Sequence, residues 1–367
     1  MMSVMRYSDG SHHVWLLGGA LLAVACSGDG TEQPSAGSGG VLADAAAGGA
    51  LPDAGPDAGG APADAAPDAP DADADVAFSF AVFADVHIGE GHDAYDGGED
   101  DVTANARLAV ARVNALAASE GIAFAFILGD LTQSGEPLEL IKARQILDDL
   151  VVPWYPCLGN HDVWPYTSSS EEPLPDGDAH FAATFGDRFA GLEYPDLTVW
   201  DPELGFDVRF QSFELRREHI VLISPDWNTR WHAVPGYPGA LGGGDLHDFP
   251  GGTLPWLRDR LAALPAGTKR VIFLQHQGFA TQPPIPEWTF TFSGEEQAIF
   301  RNTLSSYAPI ELYWGVLAGH SHRRWEGPAF VEWPFFAQVE TAACKDSADV
   351  TLVRVAADGT VEIVLDP

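Results

Sequence analysis

Five short polar blocks constrain this chain more than any other feature: Asp85-Val86-His87, Gly129-Asp130, Gly159-Asn160-His161-Asp162, His276 and Gly319-His320-Ser321-His322. Each follows a short apolar run. The runs Phe78 to Phe83, Ile122 to Leu128, Val151 to Leu158, Arg270 to Gln275 and Leu312 to Ala318 are strand-length and read as buried strands. His219 to Ser224 reads the same way. Apolar residues at helical spacing predict helices over Val102 to Leu116, Leu138 to Leu150, Thr253 to Leu264 and Gly294 to Ser306. Strand and helix therefore alternate, which favours a largely parallel sheet with helices on its faces. Ligand sites in such sheets gather at the carboxyl ends of strands, where all five blocks fall.

Further runs at Phe330 to Val339, Val350 to Val355 and Val361 to Leu365 predict strands of a second sheet, with Asp358-Gly359 turning the last hairpin. The stretch 163–218 is irregular and rich in Pro, Gly and aromatic residues, and reads as loops and an insertion. Between Val163 and Gly252 lie Trp164, Tyr166, Trp200, Trp227, Trp231 and Tyr237, which either grip a substrate or pack the insertion. Arg230, Arg323 and Arg324 are candidate phosphate contacts. His92 and His232 are candidates to line the cleft.

The blocks offer carboxylate, amide and imidazole donors and no thiol. Such a set suits Mn, Fe or Zn at a reactive centre rather than a structural zinc. Two cations roughly 3.5–4 Å apart are well served by one shared carboxylate and one shared hydroxide, whose pKa falls towards neutrality. The glycines at 129, 159 and 319 permit close backbone approach. No Gly-x-Ser-x-Gly turn is present, which argues against a serine hydrolase.

The order Asp-x-His, Gly-Asp, Gly-Asn-His-Asp, His, Gly-His-x-His resembles the calcineurin-like metallophosphoesterase superfamily over residues 77–367. The resemblance implies an α/β (α+β) fold, with two packed mixed β-sheets flanked by α-helices in a four-layer sandwich. It implies that Asp85, His87 and His322 hold one metal, that Asp130 bridges, and that Asn160, His276 and His320 complete the second. His161 would face the substrate as a catalytic hydrogen-bond donor, with Asp162 orienting its imidazole. The expected activity is hydrolysis of a phosphate monoester or diester by a bridging hydroxide. The alternative is a surface-anchored binding protein that keeps the fold without turnover. Purple acid phosphatases carry Tyr three residues after the bridging Asp; Gln133 stands there instead, so a tyrosine-coloured ferric site is not expected.

Charge bears on partners. Acidic residues number 53 against 19 basic ones, a net charge of −34. Such a surface repels nucleic-acid phosphate and anionic lipid, so no nucleic-acid partner is expected. The expected partner is a small phosphate ester, drawn in by the positive charge of the metals.

Residues 1–26 are expected to be a signal peptide. The apolar stretch Val14 to Ala25 is shorter than the ~20 residues that span a bilayer. Leu22-Ala23-Val24-Ala25-Cys26 resembles a bacterial lipobox, which implies a lipid anchor at Cys26 as the only membrane contact. The expected location is exported, periplasmic or cell-surface. Residues 27–76 are mostly Ala, Asp, Gly and Pro, without aromatic or basic residues, and read as a disordered linker. Cys157 and Cys344 remain open between a disulfide and two buried thiols.

Overall fold

The computed structural model describes residues 76–92, 94–163, 177–194, 197–201, 206–230, 242–280, 291–365 and 367. The expected signal peptide, Cys26 anchor and linker lie outside the described residues, as do Trp164, Tyr166, Trp231, His232 and Tyr237.

The first strands are β1 (Val76–Phe83), β2 (Ile122–Leu128) and β3 (Trp154–Cys157), separated by helices α1 (Asp101–Glu120) and α2 (Pro137–Leu147). Two short helices follow, α3 (Asn160–Val163) and α4 (Gly177–Phe185). Then come β4 (Leu197–Asp201), β5 (Phe206–Phe210), β6 (Phe213–Arg217) and β7 (Ile220–Ser224). Helix α5 (Thr253–Ala262), β8 (Arg270–Leu274), α6 (Gly294–Tyr307) and β9 (Tyr313–Ala318) continue the alternation. The chain closes with β10 (Trp325–Phe330), β11 (Trp333–Glu340), α7 (Cys344–Ser347), β12 (Thr351–Ala356) and β13 (Val361–Leu365).

The strands form a five-stranded sheet ordered β13-β12-β1-β2-β3 and a six-stranded sheet ordered β10-β11-β9-β8-β7-β6, with β4-β5 as a separate hairpin. Both large sheets are mixed. β1, β2 and β3 run parallel, as do β7, β8, β9 and β11, while the flanking strands are antiparallel.

Side-chain alternation sets the layers. On β8, Ile272 and Leu274 enter the core shared with the first sheet, while Val271 and Phe273 face a second core. On β7, Ile220 and Leu222 face the first core and Val221 and Ile223 the second. Phe126 of β2 stacks on Phe213 of β6 at 6.1 Å and 12°, which joins the sheets directly. Ala109, Val113, Leu140 and Ile146 of α1 and α2 belong to the first core; Leu254, Leu257, Phe300 and Leu304 of α5 and α6 belong to the second. The result is helix, sheet, sheet, helix: the expected α/β four-layer sandwich of mixed sheets.

Four expectations change. The run 330–339 is a hairpin turn and the second of two strands, β10 and β11, not one strand. β12 and β13 join the first sheet rather than the second, because β12 pairs antiparallel with β1. The irregular stretch 163–218 contains a hairpin and β6. The domain's first strand begins at Val76, one residue before the expected boundary. Cys157 and Cys344 are buried free thiols, not a disulfide. Among the described residues, no helix is long and apolar enough to cross a membrane.

Candidate metal centre

Asp85 and His87 follow β1, Asp130 follows β2 and Asn160 follows β3, all in the first sheet. His276 follows β8, and His320 and His322 follow β9, in the second. The centre therefore spans the carboxyl ends of both sheets. Asp85, His87, Asp130 and His322 place one donor atom each within 4.8 Å of one another, and so do Asp130, His276 and His320. Asp130 belongs to both groups. Asn160 joins the second through its side-chain oxygen, 3.0 Å from His276 Nε2.

The backbone at these positions is unusual. Asp85, His87, Asp130, His320 and His322 all adopt left-handed φ, at 56°, 52°, 50°, 73° and 57°. Non-glycine residues rarely do so, and such outliers concentrate at functional sites. Neighbours over-determine the geometry. The His320 amide donates to Asp85 Oδ1 at 3.0 Å, and the His161 amide donates to Asp130 Oδ1 at 2.9 Å. At Gly159, an added Cβ would lie 2.1 Å from the Asp130 nitrogen, so the loops meet closer than any side chain permits. Gly129 combines φ +88° with a His276 ring 2.5 Å from where its Cβ would be.

Outer hydrogen bonds fix the imidazole tautomers. His87 Nδ1 lies 3.0 Å from Gln133 Oε1, and His276 Nδ1 lies 2.8 Å from the Leu128 carbonyl. An oxygen there can only accept, so Nδ1 carries a hydrogen in both rings, and Nε2 is the nitrogen turned inward, with a free lone pair on the neutral His87. Inside, His87 Nε2 faces His322 Nε2 at 3.1 Å, and His320 Nδ1 faces His276 Nε2 at 3.1 Å.

Charge states agree with this arrangement. Burial pushes His87 and His320 well below the ordinary imidazole range. Burial, aided by the charge of Lys345, lowers His322 to about 4. Burial lifts Asp85 to about 8. Burial would also raise Asp130, but the His276 and His161 imidazoles outweigh it and hold it well below the usual carboxylate range. His276 shows the reciprocal effect: burial would lower it, yet Asp130 and Asp85 outweigh burial and raise it to about 9. His276 Nε2 lies 3.1 Å from Asp130 Oδ2, so a proton held between them sits where a cation would. Three imidazoles held neutral, a fourth that shares a proton with Asp130, and two buried acidic side chains fit a pair of metal ions, which would take the place of the protons.

Other predicted residues fall in different places. His161 is half-buried and edge-on to His87, with ring centroids 4.7 Å apart. Asp162 does not orient it. The Asp162 carboxylate accepts from the Gly159, Leu131 and Thr132 amides at 2.9, 3.2 and 2.9 Å and from Thr132 Oγ1 at 2.8 Å. It joins the loop after β2 to the loop after β3. His161 Nδ1 instead donates to the Gln133 carbonyl at 2.8 Å. Arg230 is no phosphate contact: it is fully buried and bound to Asp226 at 2.8 Å. Arg324 pairs with Asp349, and Arg323 is exposed. Trp227 is a core residue, whereas Trp200 is 60% exposed. His92 pairs with Asp100 at 3.1 Å on the surface.

Three residues escaped the sequence reading. Gln133 holds both His87 and His161, yet it drew notice only as a missing tyrosine. Lys345 donates its amide to the Asp85 carbonyl at 3.0 Å and pairs with Glu90 at 2.5 Å, on a segment without a motif. Asn228 lies behind β7, at the same kind of strand end as the five blocks, and that placement was the available signal.

A four-layer sandwich whose strand ends bring two donor groups together on one aspartate defines a metallophosphoesterase. The chain belongs to the calcineurin-like phosphoesterase family, whose profile matches residues 78–324, and it is a phosphoric ester hydrolase. Metal-dependent phosphoester hydrolysis is the chemistry of that family. Among solved structures, the chain is similar to a dimetal phosphatase from Danio rerio at 14% identity, covering 80% of this chain and 100% of that one, with TM-score 0.48. It is similar to a purple acid phosphatase from yellow lupin (Lupinus luteus) seeds at 11% identity, covering 78% and 51%, with TM-score 0.46. It is also similar to a 5′-nucleotidase from Candida albicans at 14% identity, covering 80% and 52%, with TM-score 0.45. The chain spans about half the length of the latter two proteins. No curated protein sequence matches it.

Proposed function

We propose that this protein hydrolyses a small phosphate monoester or diester at a dinuclear centre built from Asp85, His87, Asp130, Asn160, His276, His320 and His322. The observation that carries this reading is the sharing of Asp130 between the two donor groups. Bound there, two cations of Mn, Fe or Zn would supply charge neutralisation for the phosphoryl oxygens and a water acidified towards neutrality.

The chain's own residues do the rest. Gln133 fixes the His87 ring with its side chain and the His161 ring with its carbonyl. With Nδ1 committed to that carbonyl, His161 presents Nε2 to substrate, where it donates to a phosphoryl or leaving-group oxygen. The Asp130 carboxylate receives the His161 amide, so substrate contact and metal bridge are set by one loop pair. The substrate is a small ester, because the acidic surface disfavours nucleic acid. The protein acts outside the cytoplasm, tethered by a lipid on Cys26 and the Ala/Asp/Gly/Pro-rich linker.

The test loads the purified protein with Mn, Fe or Zn and compares a mono- with a di-ester of nitrophenyl phosphate. Chelator-sensitive hydrolysis of at least one is expected. Activity that survives both chelation and Asp130→Asn overturns the dinuclear reading. Incorporation of labelled fatty acid, lost in Cys26→Ser, tests the anchor separately.

A further inference from the structure

Behind β7 the chain makes a buried turn, Asp226-Trp227-Asn228, that none of the five blocks includes. Asn228 is 1% exposed, and each side-chain polar atom has a partner. Nδ2 donates to the Leu158 carbonyl at 2.7 Å and to Asp226 Oδ1 at 3.0 Å. Oδ1 accepts from Gln277 Nε2 at 2.6 Å. With two donors and one acceptor matched, the amide has a single orientation. Asp226 is itself anchored: it accepts from the Gln211 amide at 3.0 Å and from Arg230 at 2.8 Å.

The partners matter because of what they adjoin. Leu158 precedes Asn160 by two residues, and Gln277 directly follows His276. The same turn holds the other side of His276: Trp227 Nε1 donates to Gln275 Oε1 at 3.1 Å. Gln275 in turn donates to the Gln277 carbonyl at 2.5 Å. His276 is thus gripped on both flanks from one turn. Asn228 carries that grip across to the loop of Asn160, which belongs to the opposite sheet.

We infer that Asn228 is a positioning residue that sets the Asn160 oxygen against His276 Nε2 and so completes one of the two metal subsites. The inference rests on the dinuclear reading. It predicts an asymmetry, because among the described residues no hydrogen bond or ion pair joins Asp85, His87 or His322 to this turn. Groups that orient metal ligands typically change affinity 10–100-fold when removed, and the change falls on the ligands they orient.

Two variants cut the two halves of the clamp. Asn228→Asp keeps the shape but loses both donors, opposing a carboxylate to the Leu158 carbonyl. Gln277→Met removes the other half and leaves Asn228 on Leu158. Each protein, stripped and titrated with Mn²⁺ by calorimetry, reports stoichiometry and affinity; low-temperature electron paramagnetic resonance distinguishes coupled ion pairs from isolated ions. Wild type is expected to bind two ions with a coupled spectrum. Each variant is expected to lose about 10–100-fold in affinity for one ion, keep the other, and show the isolated-ion sextet at intermediate loading. Two ions bound with unchanged affinity and coupling in both variants, even with a lowered Tm, overturn the inference, since a purely structural residue would give that result. Wild type that binds no pair of ions overturns the dinuclear reading itself, a separate outcome.

Discussion

The His161 ring donates from Nδ1 to the backbone carbonyl of Gln133 at 2.8 Å. The partner of this ring nitrogen is therefore a peptide group, which cannot titrate or be removed by substitution. His161→Ala is expected to keep both metal ions while kcat falls about 10²–10⁴-fold, the usual range for losing a positioned proton donor. Elemental analysis beside steady-state kinetics checks this. Loss of metal in that variant would return His161 to the ligand set.

Asp162 is predicted to act through stability. Asp162→Ala strands the Gly159, Leu131 and Thr132 amides in a buried position. The cost is on the order of 3 kcal/mol, read by urea unfolding of the metal-free protein. If Asp162 oriented His161, Asp162→Asn would instead depress kcat as His161→Ala does, at unchanged stability.

Glu139 predicts a pH dependence. It is buried behind the loop after β2, accepting from the Ser134 amide at 2.9 Å, and burial raises it from 4.5 to about 7. A carboxyl raised on folding favours the folded state when protonated. Its stabilising contribution is full below pH 4.5 and is lost as pH rises through about 7. Glu139→Gln removes that term, so the stability of wild type relative to the variant should fall by on the order of 3 kcal/mol between pH 4.5 and 8. Parallel chemical melts of chelated protein measure the difference. A constant difference would show that Glu139 titrates normally.

Gly159→Ala places a Cβ 2.1 Å from the Asp130 nitrogen and 2.2 Å from its Oδ1. Both neighbours are fixed, so the loops must separate. An overpacking cost of about 1–3 kcal/mol is expected, with weaker metal binding, because the displaced residue is the shared carboxylate. Retention of full metal affinity would show that the loops yield without moving Asp130.

Much of this was legible in the sequence, and the reasons are local. The strands before Asp85, Asp130, His276 and His320 are short apolar runs, and a buried strand needs nothing else to be seen. The ligand blocks stand out because polar donors follow such runs directly. Sheet membership was not legible: β12 and β13 have the same apolar character as any inner strand, and only the long-range pairing of Phe80 with Val353 assigns them to the first sheet. Arg230 looked like a phosphate contact because a lone arginine carries no sign of the buried aspartates that hold it. Adjacency in sequence pairs Asp162 with His161, but the two side chains have separate partners, because adjacent residues on a helical turn do not share a face.

The left-handed backbone at Asp85, His87, Asp130, His320 and His322 also bears on which residues can serve there at all. Asp, Asn and His tolerate that conformation better than other residues with a side chain, while β-branched and bulky ones resist it. The loops therefore sort candidates by shape before coordination chemistry is consulted. Cysteine or glutamate would have to meet the conformational demand as well as supply a donor, so drift towards a thiolate-rich, zinc-finger-like site is obstructed twice over. The open route for substitution among these five positions is exchange of Asp, Asn and His for one another, which would retune charge at the centre while leaving the loops in place.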